Sequence, residues 1–228
     1  MRLVILALLL LGASAAANES ADIVRRAFAS IDSDTHRSWA FTETSTEDEQ
    51  TWVGRYDPSE AKDRRWTLLS VDGREPTRDE RDDYVRDRHD EFGDDEDDDD
   101  GSEMIDFETL ELIEESGEGW LFRFVPVFDD EEDDSATEMM KKVSGTIRVM
   151  RDGHYPAWME LRNEKTIRPA FGAKISHFLT RLTFAPVAGH GPVFLQSIDV
   201  RVKGRAALLI SFDVQESTQY SDFEYVGD

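Results

Sequence analysis

Acidic side chains are the most numerous groups in this sequence that could bind a metal ion or transfer a proton. Of the 228 residues, 50 are Asp or Glu. Seven acidic residues run without a break from Asp94 to Asp100, and six run from Asp129 to Asp134. An EF-hand alignment of Glu96 to Phe107 fails, because Phe107 stands where a bidentate glutamate is required. Long runs of like charge repel one another and stay solvated, so we interpret both as loops and predict no metal site.

The other chemically active residue types lack the spacing that catalysis needs. No two histidines are spaced as a zinc-binding pair, and no G-x-S-x-G nucleophile elbow is present. The glycines at 189 and 191 are too close together for a phosphate-binding loop. In a chain this acidic, a pair of carboxylates does not by itself indicate a hydrolase. We therefore predict no catalytic residue, no cofactor and no enzymatic activity, with a hydrolase that lacks a recognisable motif as the open alternative.

The formal net charge of −24 limits the classes of partner. Nucleic-acid binding requires clustered Lys and Arg to neutralise phosphates, so it is not expected. An anionic membrane should repel the chain as a whole for the same reason. There is no cysteine, so neither a disulfide nor a thiolate metal site can form.

The N-terminal 17 residues have the organisation of a secretory signal peptide. Arg2 provides a basic start, an apolar run follows from Leu3 to Leu11, and small residues lead to Ala17. We expect cleavage near Ala17 and a periplasmic or secreted mature chain. No later stretch reaches the roughly 20 apolar residues of a membrane-spanning helix, so the chain is not expected to span a membrane.

Residue periodicity predicts a chain made mostly of strands. An amphipathic helix is expected from Ser20 to Ile31, and a capping box predicts a second from Thr77 to Phe92. A third short helix is expected from Ser135 to Lys142. About ten strands in antiparallel meander order account for the rest, with turns at Asp152-Gly153 and Lys203-Gly204-Arg205. We expect a single domain over residues 18–228, with acidic insertions near 93–103 and 129–135.

Apolar side chains alternate along several predicted strands, most strongly in the one that contains Phe122 and Phe124. Ordinary core packing is one interpretation of this pattern. The other is that a strongly curved sheet leaves its interior unfilled and forms an apolar pocket for a lipid-like ligand. The residues expected to line such a pocket are Phe122, Phe124, Ile147, Trp158, Phe178 and Leu182.

Two short motifs resemble the start of the periplasmic lipoprotein-carrier family of the LolA/LolB type. They are Trp39-Ala40-Phe41-Thr42-Glu43-Thr44 after an amphipathic helix, and Trp52-Val53-Gly54-Arg55 in the next strand. The resemblance implies a half-open antiparallel barrel whose helices form a lid over an apolar cavity. It also implies that Arg55 tethers that lid.

Together these observations predict an α+β fold, in which a curved, mostly antiparallel half-barrel is covered by an N-terminal helix and one or two inserted helices. The predicted function is an exported, non-enzymatic carrier or binding protein for a hydrophobic, lipid-like ligand in the cell envelope. The alternative is an envelope interaction or structural module whose acidic loops contact a cationic protein partner.

Overall fold

The computed structural model describes residues 18–31, 35–92, 101–127, 141–169, 172–187, 191–206 and 210–227. The predicted signal peptide, both acidic runs and residues 135–140 of the third predicted helix lie outside these ranges. The helices are α1 (residues 18–28), the single turn α2 (Thr35–Ser38) and α3 (Arg78–Phe92). Short 3-10 turns occupy Lys62–Arg64, Ser102–Met104 and Phe107–Thr109.

Ten strands form one antiparallel sheet in the order β3-β2-β1-β10-β9-β8-β7-β6-β5-β4. Their bounds are β1 Trp39–Glu47, β2 Gln50–Tyr56, β3 Trp66–Val71, β4 Glu111–Glu115, β5 Gly119–Phe124, β6 Val143–Met150, β7 Pro156–Asn163, β8 Lys174–Pro186, β9 Val193–Ala206 and β10 Ile210–Tyr225. Because every pairing between neighbours is antiparallel, the antiparallel prediction is confirmed.

The predicted fold class, an α+β half-barrel closed by helices, is wrong. A barrel closes when its first and last strands pair, but here β3 and β4 stand at opposite ends of an open sheet. The described chain is mostly strand, with two helices longer than one turn. These helices pack directly on the sheet rather than over an empty interior. Alternation of apolar residues reports which side of each strand is buried, but it does not report how neighbouring strands curve.

Helix α1 covers the part of the sheet formed by β5, β6 and β7. Its residues Val24, Ala27 and Phe28 have at most 1% of their surface exposed. They belong to one buried cluster with Phe122 and Ile147, which lie opposite each other in β5 and β6. Burial of each of the larger side chains, such as Val24 and Phe28, stabilises the fold by about 1.5–3 kcal/mol.

Helix α3 covers β1, β2 and β3 and forms a second buried cluster. Its N-terminus confirms the predicted capping box: the Glu80 backbone donates to Thr77 Oγ1 over 3.3 Å, and the Thr77 backbone donates to Glu80 Oε2 over 2.7 Å. Tyr84 then packs among the aromatic residues of the strands below. The members of this cluster are Phe41, Tyr56, Trp66, Leu68, Val71 and Tyr84.

The turn predicted at Lys203-Gly204-Arg205 is also wrong, because β9 continues through it to Ala206. Gly204 lies opposite Phe212 of β10 and Ile175 of β8. A Cβ atom at this position would overlap the Phe212 ring and the Lys174 carbonyl oxygen. The glycine therefore permits close packing between strands rather than a reversal of the chain.

Candidate functional site

Three of the predicted ligand-binding residues lie deep in the cluster under α1. Phe122 and Ile147 are 0% exposed and Phe124 is 1% exposed. The Phe124 ring fills the space above Gly145, where a Cβ atom would overlap it. A ligand would contact these three side chains only after it displaced the residues packed on them, so their role in binding stays a prediction.

The structure does not bring Trp158 together with the other predicted residues. Successive side chains of a strand point to opposite faces, and the neighbour Met159 belongs to the buried cluster under α1. Trp158 therefore faces the other side of the sheet. There the Arg181 guanidinium lies 4.7 Å from the centroid of its ring, a cation–π contact typical of a half-exposed surface.

The remaining two, Phe178 and Leu182, lie in β8 on the face that carries the helices. Leu182 is opposite the buried Met159 in β7 and opposite Ile198 in β9. Directly opposed residues in antiparallel strands share a face, and Phe178 shares it too because it is four residues away. Both side chains are half-buried against the cluster under α1.

Phe178 and Leu182 form one side of an apolar strip that crosses the three central strands β8, β9 and β10. Phe178 is opposite Val202, which is opposite Val214, and Leu182 is opposite Ile198. All members are half-buried. The apolar strip consists of Phe178, Leu182, Ile198, Val200, Val202 and Val214. It lies on the same face as both helices, between the strands that α1 covers and those that α3 covers.

The same face reaches β1 through Ile198, Thr218 and Ser45, which oppose one another in successive strands. Ser45 is in phase with Glu43, which is 2% exposed beneath α3. Arg88 of α3 donates to Glu43 Oε1 from Nη2 over 2.6 Å and from Nε over 3.0 Å. The Tyr84 hydroxyl donates to the same oxygen over 3.2 Å. The buried polar cluster of Glu43, Tyr84 and Arg88 thus fastens α3 to the sheet.

Burial and the neighbouring Glu43 carboxylate raise the pKa of Tyr84, so this phenol stays protonated as a donor. Tyr84 packs directly against the backbone of β2, which requires glycine at position 54, because a Cβ atom there would overlap the phenol oxygen. Sequence reasoning missed this cluster, because a charged residue in an alternating strand normally faces solvent. The available signal was that Glu43 is in phase with the apolar Phe41.

Arg55, the predicted lid tether, faces away from α3, since the adjacent Gly54 lies under Tyr84. Its Nη1 donates to the Asp222 carbonyl oxygen over 3.0 Å, and its Nη2 lies 3.2 Å from Glu224 Oε2. Within the described residues its hydrogen bonds therefore join strands β2 and β10 across β1. The described fold contains no lid over an open cavity. In it, Arg55 links strands of the sheet.

A groove of about 440 Å³ opens beside Arg55 on this outer face. Its walls mix cationic and anionic side chains with a few apolar ones: Arg55, Asp57, Glu60, Asp63, Arg64, Arg65, Trp66, Thr67 and Leu69. Because side chains of both charges line the groove, it has no strong preference for an anionic or a cationic ligand. The groove therefore does not provide the apolar lining that a lipid-like molecule needs.

Within the described residues, no group of three or more His, Asp or Glu side chains is arranged to hold a metal ion. Among the same residues, no helix is long and apolar enough to cross a membrane.

No family model and no curated protein matches the sequence. Among solved structures, a chain of the Pseudomonas aeruginosa MucA/MucB complex is weakly similar, with 12% identity and a TM-score of 0.25 over 92% of this chain and 100% of the matched one. A second MucB structure, in complex with MucA(peri), gives 12% identity, a TM-score of 0.23 and the same coverage. An isomerase-inactive variant of GphF DH1 gives 9% identity and a TM-score of 0.17, over 84% of this chain and 76% of the matched one. Similarity this low does not assign the chain to a family, and the resemblance to the LolA/LolB type stays a prediction.

Proposed function

We propose that this chain is an exported, non-enzymatic binding protein of the cell envelope that holds a hydrophobic, lipid-like ligand. The observation that supports the proposal most directly is the apolar strip. Its six side chains are half-buried on the face that carries both helices. Apolar surface left in contact with water in the middle of a sheet favours the binding of another apolar surface.

The strip suits a ligand chain that lies along the sheet rather than one enclosed in the core. The cluster under α1 is filled by its own side chains, with Phe122, Ile147 and Met159 at 0% exposure. Transfer of each ligand methylene from water to an apolar surface contributes about 0.8 kcal/mol. An acyl chain of about 14 carbons would therefore bind without a charged anchor, even if only part of it is covered.

The test begins with the natural ligand. The mature protein is purified from cells without detergent and extracted with organic solvent, and the extract is analysed by mass spectrometry. The proposal predicts a co-purifying lipid, or saturable uptake of a fluorescent fatty-acid analogue by the extracted protein. An empty extract together with no uptake of the analogue would refute it.

A further inference from the structure

Strands β8, β9 and β10 extend beyond the ends of their neighbours β7 and β1. The two faces of this extension differ in charge and polarity. Pairing of β10 with β1 ends at Glu216, and pairing of β8 with β7 ends at Leu179. Residues 174–178 of β8, 201–206 of β9 and 210–215 of β10 continue as a three-stranded projection. On the β7 side, the Asn163 side chain accepts a hydrogen bond from the Phe178 backbone at the base of the projection, and Ile167 pairs with Ile175 nearer its end.

One face of the projection is basic. Lys174 lies opposite Arg205, and His177 lies opposite Lys203, across β8 and β9. Arg201 lies two residues further along the same face of β9. All five of these side chains are exposed. In a chain with a net charge of −24, this basic face is a local reversal of sign.

A single acidic side chain offsets part of that charge. Asp213 of β10 lies 2.8 Å from the Lys203 ammonium group, and this hydrogen bond lowers the pKa of Asp213. Lys174, Arg201 and Arg205 form no salt bridge within the described residues, so their charges face solvent.

The end of the projection is apolar. Ile210 is 64% exposed and lies opposite Ala206. Phe212 follows on the same face and lies over Gly204. An exposed isoleucine is not unusual alone, but here it lies at the end of the projection, on the face opposite the basic one.

We propose that this projection docks on the surface of an anionic lipid bilayer. The projection would meet the bilayer end-on: Ile210 at its end would enter the boundary between headgroups and acyl chains, while Lys174, Arg201 and Arg205 on the basic face meet lipid phosphates. Exposed apolar residues bordered by cations are the combination that favours such interfacial binding. At physiological ionic strength the Debye length is about 8 Å, so charges farther from the contact are largely screened. The overall negative charge therefore does not prevent local attraction.

This proposal goes beyond the proposed ligand site and does not depend on it. The first measurement is co-sedimentation of the mature protein with vesicles of 30% phosphatidylglycerol in phosphatidylcholine, against vesicles of phosphatidylcholine alone. We expect binding to the anionic vesicles and little to the neutral ones. Equal binding to both, or binding to neither, would overturn the proposal.

Variants then locate the contact. Each Lys or Arg at a membrane surface strengthens binding by about fivefold, so Lys174→Glu combined with Arg205→Glu should weaken vesicle binding at least tenfold. Ile210→Asp should also weaken it. The matched controls are Arg26→Glu with Arg78→Glu, and Ile113→Asp, which change exposed residues elsewhere. Undiminished binding by the projection variants, or an equal loss in the controls, would contradict the assignment.

An acidic protein is the competing partner, and a glutamate oligopeptide is the probe for it. If the oligopeptide binds, the same Lys174→Glu and Arg205→Glu changes abolish that binding, and the vesicles are not bound, the basic face serves a protein and the lipid proposal is overturned. The variants should keep full uptake of the fluorescent fatty-acid analogue. Failure of vesicle docking can thereby be distinguished from failure of the proposed ligand site.

Discussion

The Arg88 guanidinium donates to the Glu43 carboxylate over 2.6 Å, and this ion pair joins α3 to the middle of β1. Glu43 is 2% exposed and Arg88 is 17% exposed, so water does little to solvate either charge. A buried pair often contributes little net stability relative to apolar residues, but loss of one partner leaves a charge stranded. The position of α3 on the sheet therefore depends on both residues being present.

Arg88→Ala should lower the free energy of unfolding by about 3–5 kcal/mol, because it leaves the Glu43 carboxylate buried without its cation. Replacement of both residues, as Glu43→Leu with Arg88→Met, should restore most of this loss. Urea denaturation followed by tryptophan fluorescence measures both. Arg86→Ala is the control, since Arg86 pairs with Asp83 and Asp87 on the exposed side of α3, and it should cost less than about 1 kcal/mol. A similar cost for Arg86→Ala and Arg88→Ala would contradict the buried cluster.

Gly54→Ala should destabilise the fold by about 1–3 kcal/mol, because the new methyl group would overlap Tyr84. Tyr84→Phe removes the nearest atom, the phenol oxygen, so the alanine should cost less in that background. A double-mutant cycle on unfolding free energies measures the coupling between the two sites. Additive effects would show that α3 does not rest on Gly54.

The sequence predicts contacts between residues close together in the chain better than contacts between distant ones. Pro76, Thr77 and Glu80 predict the start of α3 correctly, because a capping box is made by residues three apart. The Glu43–Arg88 pair was not predictable, since its members are 45 positions apart and alternation places a glutamate toward solvent. The same limit applies to Trp158 and Met159: both are apolar, so periodicity alone does not decide which one faces the core.

The order in which the strands pair in the sheet could not be predicted from the sequence for a related reason. Alternation suggested the strands one by one, but it does not specify that β1 pairs with β10 or that β3 and β4 lie at the two edges of the sheet. Of the candidate site, Phe178 and Leu182 were predicted from the sequence. The other members of the strip, Ile198, Val200, Val202 and Val214, were not, because a predicted turn at Gly204 divided the region.

Glu80 should titrate well below an ordinary glutamate. Hydrogen bonds from Arg74 and from Thr77 lower its pKa from 4.5 to about 2. Since the folded-state pKa is the lower one, this contribution to stability is present above about pH 4.5 and is lost as the pH falls toward 2. NMR titration of the Glu80 side chain should give a midpoint near 2 in the native chain.

Removal of the main partner checks the cause of that shift. Arg74→Ala should move the Glu80 midpoint upward, whereas Arg78→Ala, at an exposed position where Arg78 pairs with Asp82, should leave it in place. A native midpoint near 4.5, or an equal response to both substitutions, would show that the bonds between Arg74 and Glu80 do not persist in solution.

The measurement that tests the central claim most directly is a titration of the mature protein with a fluorescent fatty-acid analogue, repeated on variants with charges introduced at opposite faces of the sheet. Val202→Glu with Val214→Glu places charge in the apolar strip at two half-buried positions. Leu179→Glu places charge on the outer face, opposite Arg201. We predict saturable binding that the strip variant loses by at least tenfold and the Leu179 variant retains. Binding unchanged in the strip variant, in protein shown by circular dichroism to be folded, would contradict the account.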